Sequence, residues 1–164
     1  MDRQSTFFPI FLDLSDRRVV FVGGGRIATR RIKAIVPFAP QLVVVSPDVT
    51  DEIRALADAG EISWRKSTWS PDVAYALDGD DIVLACTDDA ALNESIWEQC
   101  HAAGVLVNIC SDHTKCDFYF PGIVRQGNVT VAVNASGRDH AQARELRERI
   151  QALLDESGDC EGEA

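Results

Sequence analysis

The stretch that most constrains this chain is Val19-Val20-Phe21-Val22-Gly23-Gly24-Gly25-Arg26-Ile27-Ala28, where one periodicity gives way to another. An apolar, β-branched run leads into the glycines. The segment leaving them carries Ile27, Ile32, Ile35 and Val36 at helical spacing as far as Pro37, which ends a helix. Strand, tight turn and helix are therefore expected in that order. Gly23, Gly25 and Ala28 match G-x-G-x-x-A across the junction. The first glycine permits the turn, the second lets backbone approach a pyrophosphate, and the alanine keeps the helix close to the sheet. Unpaired N–H groups and the dipole at such a helix start attract an anion. A glycine-rich turn without a ligand has the same composition, but its place between strand and helix favours the phosphate-binding reading.

The rest of the chain repeats that alternation. Ile10–Leu14, Arg18–Val22, Leu42–Ser46, Glu61–Arg65, Asp81–Cys86 and Val105–Ile109 read as strands. The central ones are apolar throughout, as strands buried on both faces are. Helices are expected over Arg26–Val36, over Asp51–Ala59 with Thr50 as N-cap and Gly60 as stop, and over Ala90–Ala103 closed by Gly104. A short helix is expected before Asp81. Strands alternating with helices imply an α/β, Rossmann-type, doubly wound parallel sheet. Near residue 112 the rhythm changes. Phe118–Phe120, Ile123–Arg125 and Asn128–Asn134 read as strands, with turns at Pro121-Gly122 and Gln126-Gly127, and Asp139–Leu154 as a helix with Leu146, Ile150, Leu153 and Leu154 on one side. The expected organisation is a nucleotide-binding domain over 1–112, a small strand-and-helix extension over 113–154 and an acidic, frayed tail over 155–164.

Charge excludes several classes. The 164 residues carry 16 Lys and Arg against 26 Asp and Glu, a formal net charge of −10. Such a chain lacks the basic excess that nucleic-acid phosphates require. Half of that charge falls in 155–164. No apolar run approaches the roughly 18 residues needed to cross a bilayer, and the N-terminus leads into no signal-peptide core, so a cytoplasmic location is expected. The 5 cysteines include no C-x-x-C pair and suit reduced thiols. Cys110 and Cys116 bracket His113, but no further ligand pair completes a tetrahedral set, so no metal site is assigned.

A ribose-binding acid usually ends the second strand of the nucleotide fold, where this chain has Ser46-Pro47-Asp48; Asp48 stands two residues late but within reach of a ribose hydroxyl. No arginine is expected beside Asp48 to hold a 2′-phosphate, which favours NAD over NADP. Cys86-Thr87-Asp88-Asp89 ends the next long strand, across the switch point toward the nicotinamide half. Thr87-Asp88-Asp89 also suits a helix cap, and the two roles are compatible.

Phe8-Pro9-Ile10-Phe11-Leu12-Asp13-Leu14 ahead of the glycine loop, Cys86-Thr87-Asp88-Asp89, Asn93, Val107-Asn108 and Cys116-Asp117-Phe118-Tyr119-Phe120-Pro121 together resemble the siroheme-synthase N-terminal family. The resemblance runs from about Phe7 to Leu154. It implies an NAD-dependent precorrin-2 dehydrogenase, in a family some of whose members also insert iron, and a homodimer joined through the region after the nucleotide domain. Carried over by position, cofactor contacts fall on Gly23, Gly24, Gly25, Arg26 and Ile27, on Ser46, Pro47 and Asp48, and on Thr87 and Asp88. The family's essential aspartate falls on Ser111, with Asp112 one residue beyond, so the two are the catalytic candidates. The 134–140 stretch, with Arg138 and His140, departs from the family's S-[ST]-G-G-x-S-P. The family's C-terminal helical extension and fused methyltransferase are not found here, which suggests a stand-alone short form.

Precorrin-2 is a polycarboxylate, so its enzyme needs placed cations despite an acidic surface. Arg30, Arg31, Lys115, Arg125, Arg138 and Arg144 are the candidates, each weighed against a solvated surface base. Asp112 is expected to take the proton released on oxidation, or else to cap a turn. The alternative to an enzyme is a catalytically impaired tetrapyrrole- or NAD-binding protein of the same fold, which the serine at 111 motivates.

Overall fold

A computed structural model describes residues 7–70, 72, 76–136 and 139–158. It divides into two compact units, Pro9–Phe118 and a second formed by Tyr119 onward with the N-terminal residues through Phe8.

The larger unit is built on β1 (Arg18–Val22), β2 (Gln41–Val45), β3 (Ser63–Arg65), β4 (Ile82–Ala85) and β5 (Leu106–Ile109). They form one sheet in the order β3-β2-β1-β4-β5, every pairing parallel. This is the doubly wound arrangement expected, and the order reverses between β1 and β4. The central strands are buried without alternation. Val19, Phe21, Val44, Val83, Leu84 and Val107 are all at 0% exposure, because helices cover both faces. Val20, Val22, Val83, Ala85 and Val107 pack with Ile96 and Cys100 of the helix before β5.

Among the described residues, three helices connect the strands: α1 (Arg26–Ile35), α2 (Asp51–Asp58) and α3 (Ala90–Ala103). Thr50 caps α2 by accepting from the Ile53 N–H. Asp89 caps α3 by accepting from the Ala91 and Leu92 N–H groups, and Gly104 closes it at φ +70°. The start of β1 is held by Arg18, whose guanidinium pairs with the buried Asp81 carboxylate. The short helix expected before β4 falls largely outside the described residues.

Two strand expectations are corrected. Ile10–Leu14 is irregular, with Phe8 82%, Ile10 70% and Phe11 77% exposed. The stretch joins neither edge of the sheet, and Asp13 instead closes a local turn by accepting from the Ser15 N–H and hydroxyl. Phe118–Phe120 is likewise not a strand, since the Phe118 carbonyl is taken by the Asn108 side chain at 2.7 Å. The Asp117 N–H donates to the Val107 carbonyl at 2.9 Å, and its carboxylate accepts from the Val107 N–H at 2.9 Å. These bonds carry the larger unit past the expected boundary at 112 to Phe118, so the 3₁₀ turn His113–Lys115 belongs to it.

The smaller unit holds the antiparallel hairpin β6 (Gly122–Gln126) and β7 (Val129–Val133) and the helix α4 (His140–Gly158). The hairpin turns at Gly127-Asn128, one residue later than expected, with Gly127 at φ +54°. The helix runs past Asp155, where a frayed tail was expected, and Gln151 donates to the Asp155 carboxylate one turn on. Residues 159–164 lie outside those described.

Candidate functional site

The carboxyl ends of β1, β2 and β4 meet around the glycine loop. Gly23 adopts φ +103°, and a Cβ there would lie 2.7 Å from the Cys86 carbonyl oxygen. Its N–H donates to Val45 while Cys86 donates to Val22, so the loop is pinned between the strands on either side of β1. Gly24 carries a different constraint. A side chain there would strike the Asp48 carbonyl and the Val49 side chain, and its own carbonyl accepts from the Thr50 N–H. The loop after β2 thus sits directly against the middle glycine. Gly25 is the converse, with nothing within 4 Å of the place a Cβ would occupy.

Gly25 is also the N-cap of α1, which has no side-chain cap bond and no acid in its first turn. Both other capped starts in this unit's long connections, at Thr50 and Asp89, have a side-chain oxygen on the helix N–H groups. At α1 no side chain caps the first N–H groups, the condition for an external anion to bind them. Thr29 fixes that first turn, its hydroxyl lying 3.0 Å from the Gly25 carbonyl and 2.8 Å from the Thr50 hydroxyl. Arg26 and Ile27 are exposed on the turn, so Ile27 leaves the apolar face that its spacing suggested.

The residues after β2 form a braced loop. Ser46 is buried and its hydroxyl donates to the Asp48 carbonyl at 2.6 Å, a backbone pin beneath the exposed Pro47 and Asp48. The Trp64 indole N–H donates to the Ser46 carbonyl at 3.0 Å. Asp48 is exposed and accepts from the Val49 N–H. The expectation that no arginine stands beside it is corrected, because α2 brings the Arg54 guanidinium to 3.6 Å from its carboxylate.

Past the switch point, Thr87 and Ser111 are linked by Asn93, a fully buried residue of α3. The Asn93 amide oxygen accepts from the Thr87 hydroxyl at 2.8 Å, and its nitrogen donates to the Thr87 carbonyl at 3.1 Å and to the Ser111 hydroxyl at 3.5 Å. The ends of β4 and β5 are thereby held together. Asp88 is exposed beside Thr87, while Asp89 serves as the α3 cap. Asp112 caps the 3₁₀ turn, its Oδ1 accepting from the Thr114 N–H at 2.9 Å and hydroxyl at 2.6 Å. Those bonds hold its carboxyl below the usual carboxylate range.

Of the cations proposed for a polycarboxylate, Arg31 donates to the Asn108 amide at 2.8 Å, Lys115 pairs with Glu94 and Arg144 lies 4.0 Å from Glu148. Arg30 and Arg125 are exposed, and Arg138 lies outside the described residues. The Cys116 thiol turns inward onto the Ile109 backbone, and burial pushes the Cys86 thiol up to about 11, which makes both packing groups. Sequence reasoning missed the bracing roles of Asn93, Asn108 and Arg54. Asn93 was detectable, since it stands three residues before Ile96 and seven before Cys100 on the buried face of α3.

Residues 10–122 match a protein family described as "Putative NAD(P)-binding". The chain is 35% identical over 151 residues to a siroheme synthase of Photorhabdus laumondii, covering 92% of this chain and 32% of that protein. It is 36% identical over 148 residues to siroheme synthase 1 of Pectobacterium atrosepticum, covering 90% and 30%. The chain thus spans about a third of the length of these curated relatives. A solved structure of SirC, a precorrin-2 dehydrogenase, superposes with a TM-score of 0.73 at 25% identity, covering 90% of this chain and 71% of that one.

Proposed function

The chain belongs to the NAD(P)-binding family, and from that premise we propose that it is an NAD-dependent precorrin-2 dehydrogenase, which oxidises precorrin-2 to sirohydrochlorin. The observation that carries the reading is the open, uncapped helix start at Gly25, set at the strand-order reversal of the sheet. Gly23 and Gly24 cannot carry a side chain because protein fills the space, whereas the space at Gly25 is free for a pyrophosphate. The α1 N–H groups hold the phosphates, Asp48 takes a ribose hydroxyl, and Thr87 and Asp88 border the nicotinamide end. Bound NAD supplies the hydride acceptor.

On the far side of the site, Asn93 orients the Ser111 hydroxyl, and Asp112 follows on the same loop. Thr114 engages Oδ1 of Asp112 and holds its carboxyl below the usual carboxylate range, so the carboxylate is ionised but is a weaker proton acceptor than an uncapped one. Supplying precorrin-2 and NAD anaerobically tests the proposal. Sirohydrochlorin and NADH should appear together, and their absence in the presence of bound nucleotide sinks the enzyme.

A second reading, a binding protein without turnover, is favoured by one observation. The position matching the family's aspartate holds a serine, and the adjacent Asp112 is engaged as a turn cap. On that reading Ser111→Asp gains turnover from none, whereas an active wild-type chain excludes it. We propose further that the chain works as a homodimer through its smaller unit, where Leu146 is 44% and Leu153 63% exposed on α4 and Val129 is 51% exposed on β7.

A further inference from the structure

We infer that Arg54 forms a seat for a ribose 2′-phosphate, so that the nucleotide site takes NADP as well as NAD. The inference rests on the NAD(P)-binding reading and concerns only the ribose end of that site. Asp48 is placed there by the glycine loop itself, since its carbonyl lies against Gly24, next to the phosphate-binding turn. A carboxylate alone at this position accepts a ribose hydroxyl and repels a 2′-phosphate, while a neighbouring arginine reverses the preference.

Here both groups are present. The Arg54 guanidinium stands 3.6 Å from the Asp48 carboxylate and offsets its charge. It is also held in place, lying 5.3 Å from the centre of the Trp64 ring. Trp64 is in turn anchored by its indole N–H on the Ser46 carbonyl, and Ser46 pins Asp48. The cation is thus braced to the loop that it serves. Lys66 lies over the same ring at 5.7 Å, adding a second positive charge at the edge of β3. Arg54 and Asp48 are 45% and 86% exposed in their side chains, so their pairing is weak and readily exchanged for a phosphate. Guanidinium binds phosphate through two parallel hydrogen bonds, whereas its 3.6 Å approach to the Asp48 carboxylate is longer than a hydrogen bond.

The test is calorimetric titration of the whole chain with NAD and NADP, with 5′-AMP and 2′,5′-ADP as fragment probes. NADP should bind within about tenfold of NAD. Arg54→Gln should lower the NADP-to-NAD affinity ratio by about tenfold or more, Arg54→Lys by less, and Asp48→Asn should raise it. The fragments should follow the same order, because they carry only the ribose end. A ratio unmoved by Arg54→Gln overturns the inference while leaving the cofactor reading intact. Failure of both dinucleotides to bind the wild-type chain overturns the cofactor reading, and this seat with it.

Discussion

The three consecutive glycines answer to three different physical demands, and single substitutions should separate them. At Gly23 a methyl group meets the Cys86 backbone carbonyl at 2.7 Å, on a backbone at φ +103° that L-residues avoid. Gly23→Ala is therefore expected to destabilise the fold by about 1–3 kcal/mol and to weaken NAD binding, measured by thermal denaturation and titration. Asp112 makes a pH-dependent contribution of definite sign. Its carboxyl is held low by the Thr114 hydroxyl and N–H, so the capping bonds are fully present above the ordinary carboxylate pKa and lost as pH falls through the lower folded value. Asp112→Ala should lower the melting temperature at neutral pH, and the deficit should narrow below about pH 4. A deficit that persists unchanged in acid would assign the effect to packing.

Among the elements, α1 differs from α2 and α3 in what its start lacks. Thr50 and Asp89 satisfy the first N–H groups of their helices, but Gly25 leaves those of α1 open toward the proposed phosphates. Stability and binding are opposed at this one position. Gly25→Asp supplies both a capping oxygen and a negative charge at the positive end of the helix. The variant is expected to melt no lower than the wild type, with a gain of up to about 1 kcal/mol, while NAD affinity falls more than about tenfold. A variant that melts lower and binds equally well would mean that the α1 start is not the phosphate site. The buried amide of Asn93 belongs to the same scale, because it joins the ends of β4 and β5 through α3 rather than through the sheet ladder.

At the scale of the molecule, the chain comprises a Rossmann-type unit and a smaller hairpin-and-helix unit, each with its own core or apolar face. No helix among the described residues is long and apolar enough to cross a membrane. The exposed Leu146 and Leu153 of α4 are the residues that self-association would cover. Sedimentation equilibrium should show a dimer for the wild-type chain and a monomer for Leu146→Asp/Leu153→Asp, with secondary structure retained by circular dichroism. A wild-type monomer at micromolar concentration would remove the dimer proposal. The charge of −10 bears little on the ligand, since half of it falls in 155–164.

Local pattern was enough to read the strand–glycine–helix junction, the wholly apolar inner strands, the Thr50 cap and the Gly104 stop. Each depends on neighbours within a few residues, where sterics and hydrogen bonding act along the chain. Ile10–Leu14 shows the limit of that reading. Its apolar content suited a strand, but a strand also needs a free edge to pair with, and the stretch pairs with none. The candidate site divides in the same way. Gly23 and Gly25 follow from motif spacing, because the backbone of one turn places them. Arg54 beside Asp48, Asn93 between Thr87 and Ser111, and Arg31 on Asn108 arise only when separate elements pack. The sequence by itself determined a Rossmann-type α/β sheet with an anion-ready helix start. Tertiary structure decided which charges stand at the proposed nucleotide site and which are spent on the protein, because those pairings depend on distances across the fold.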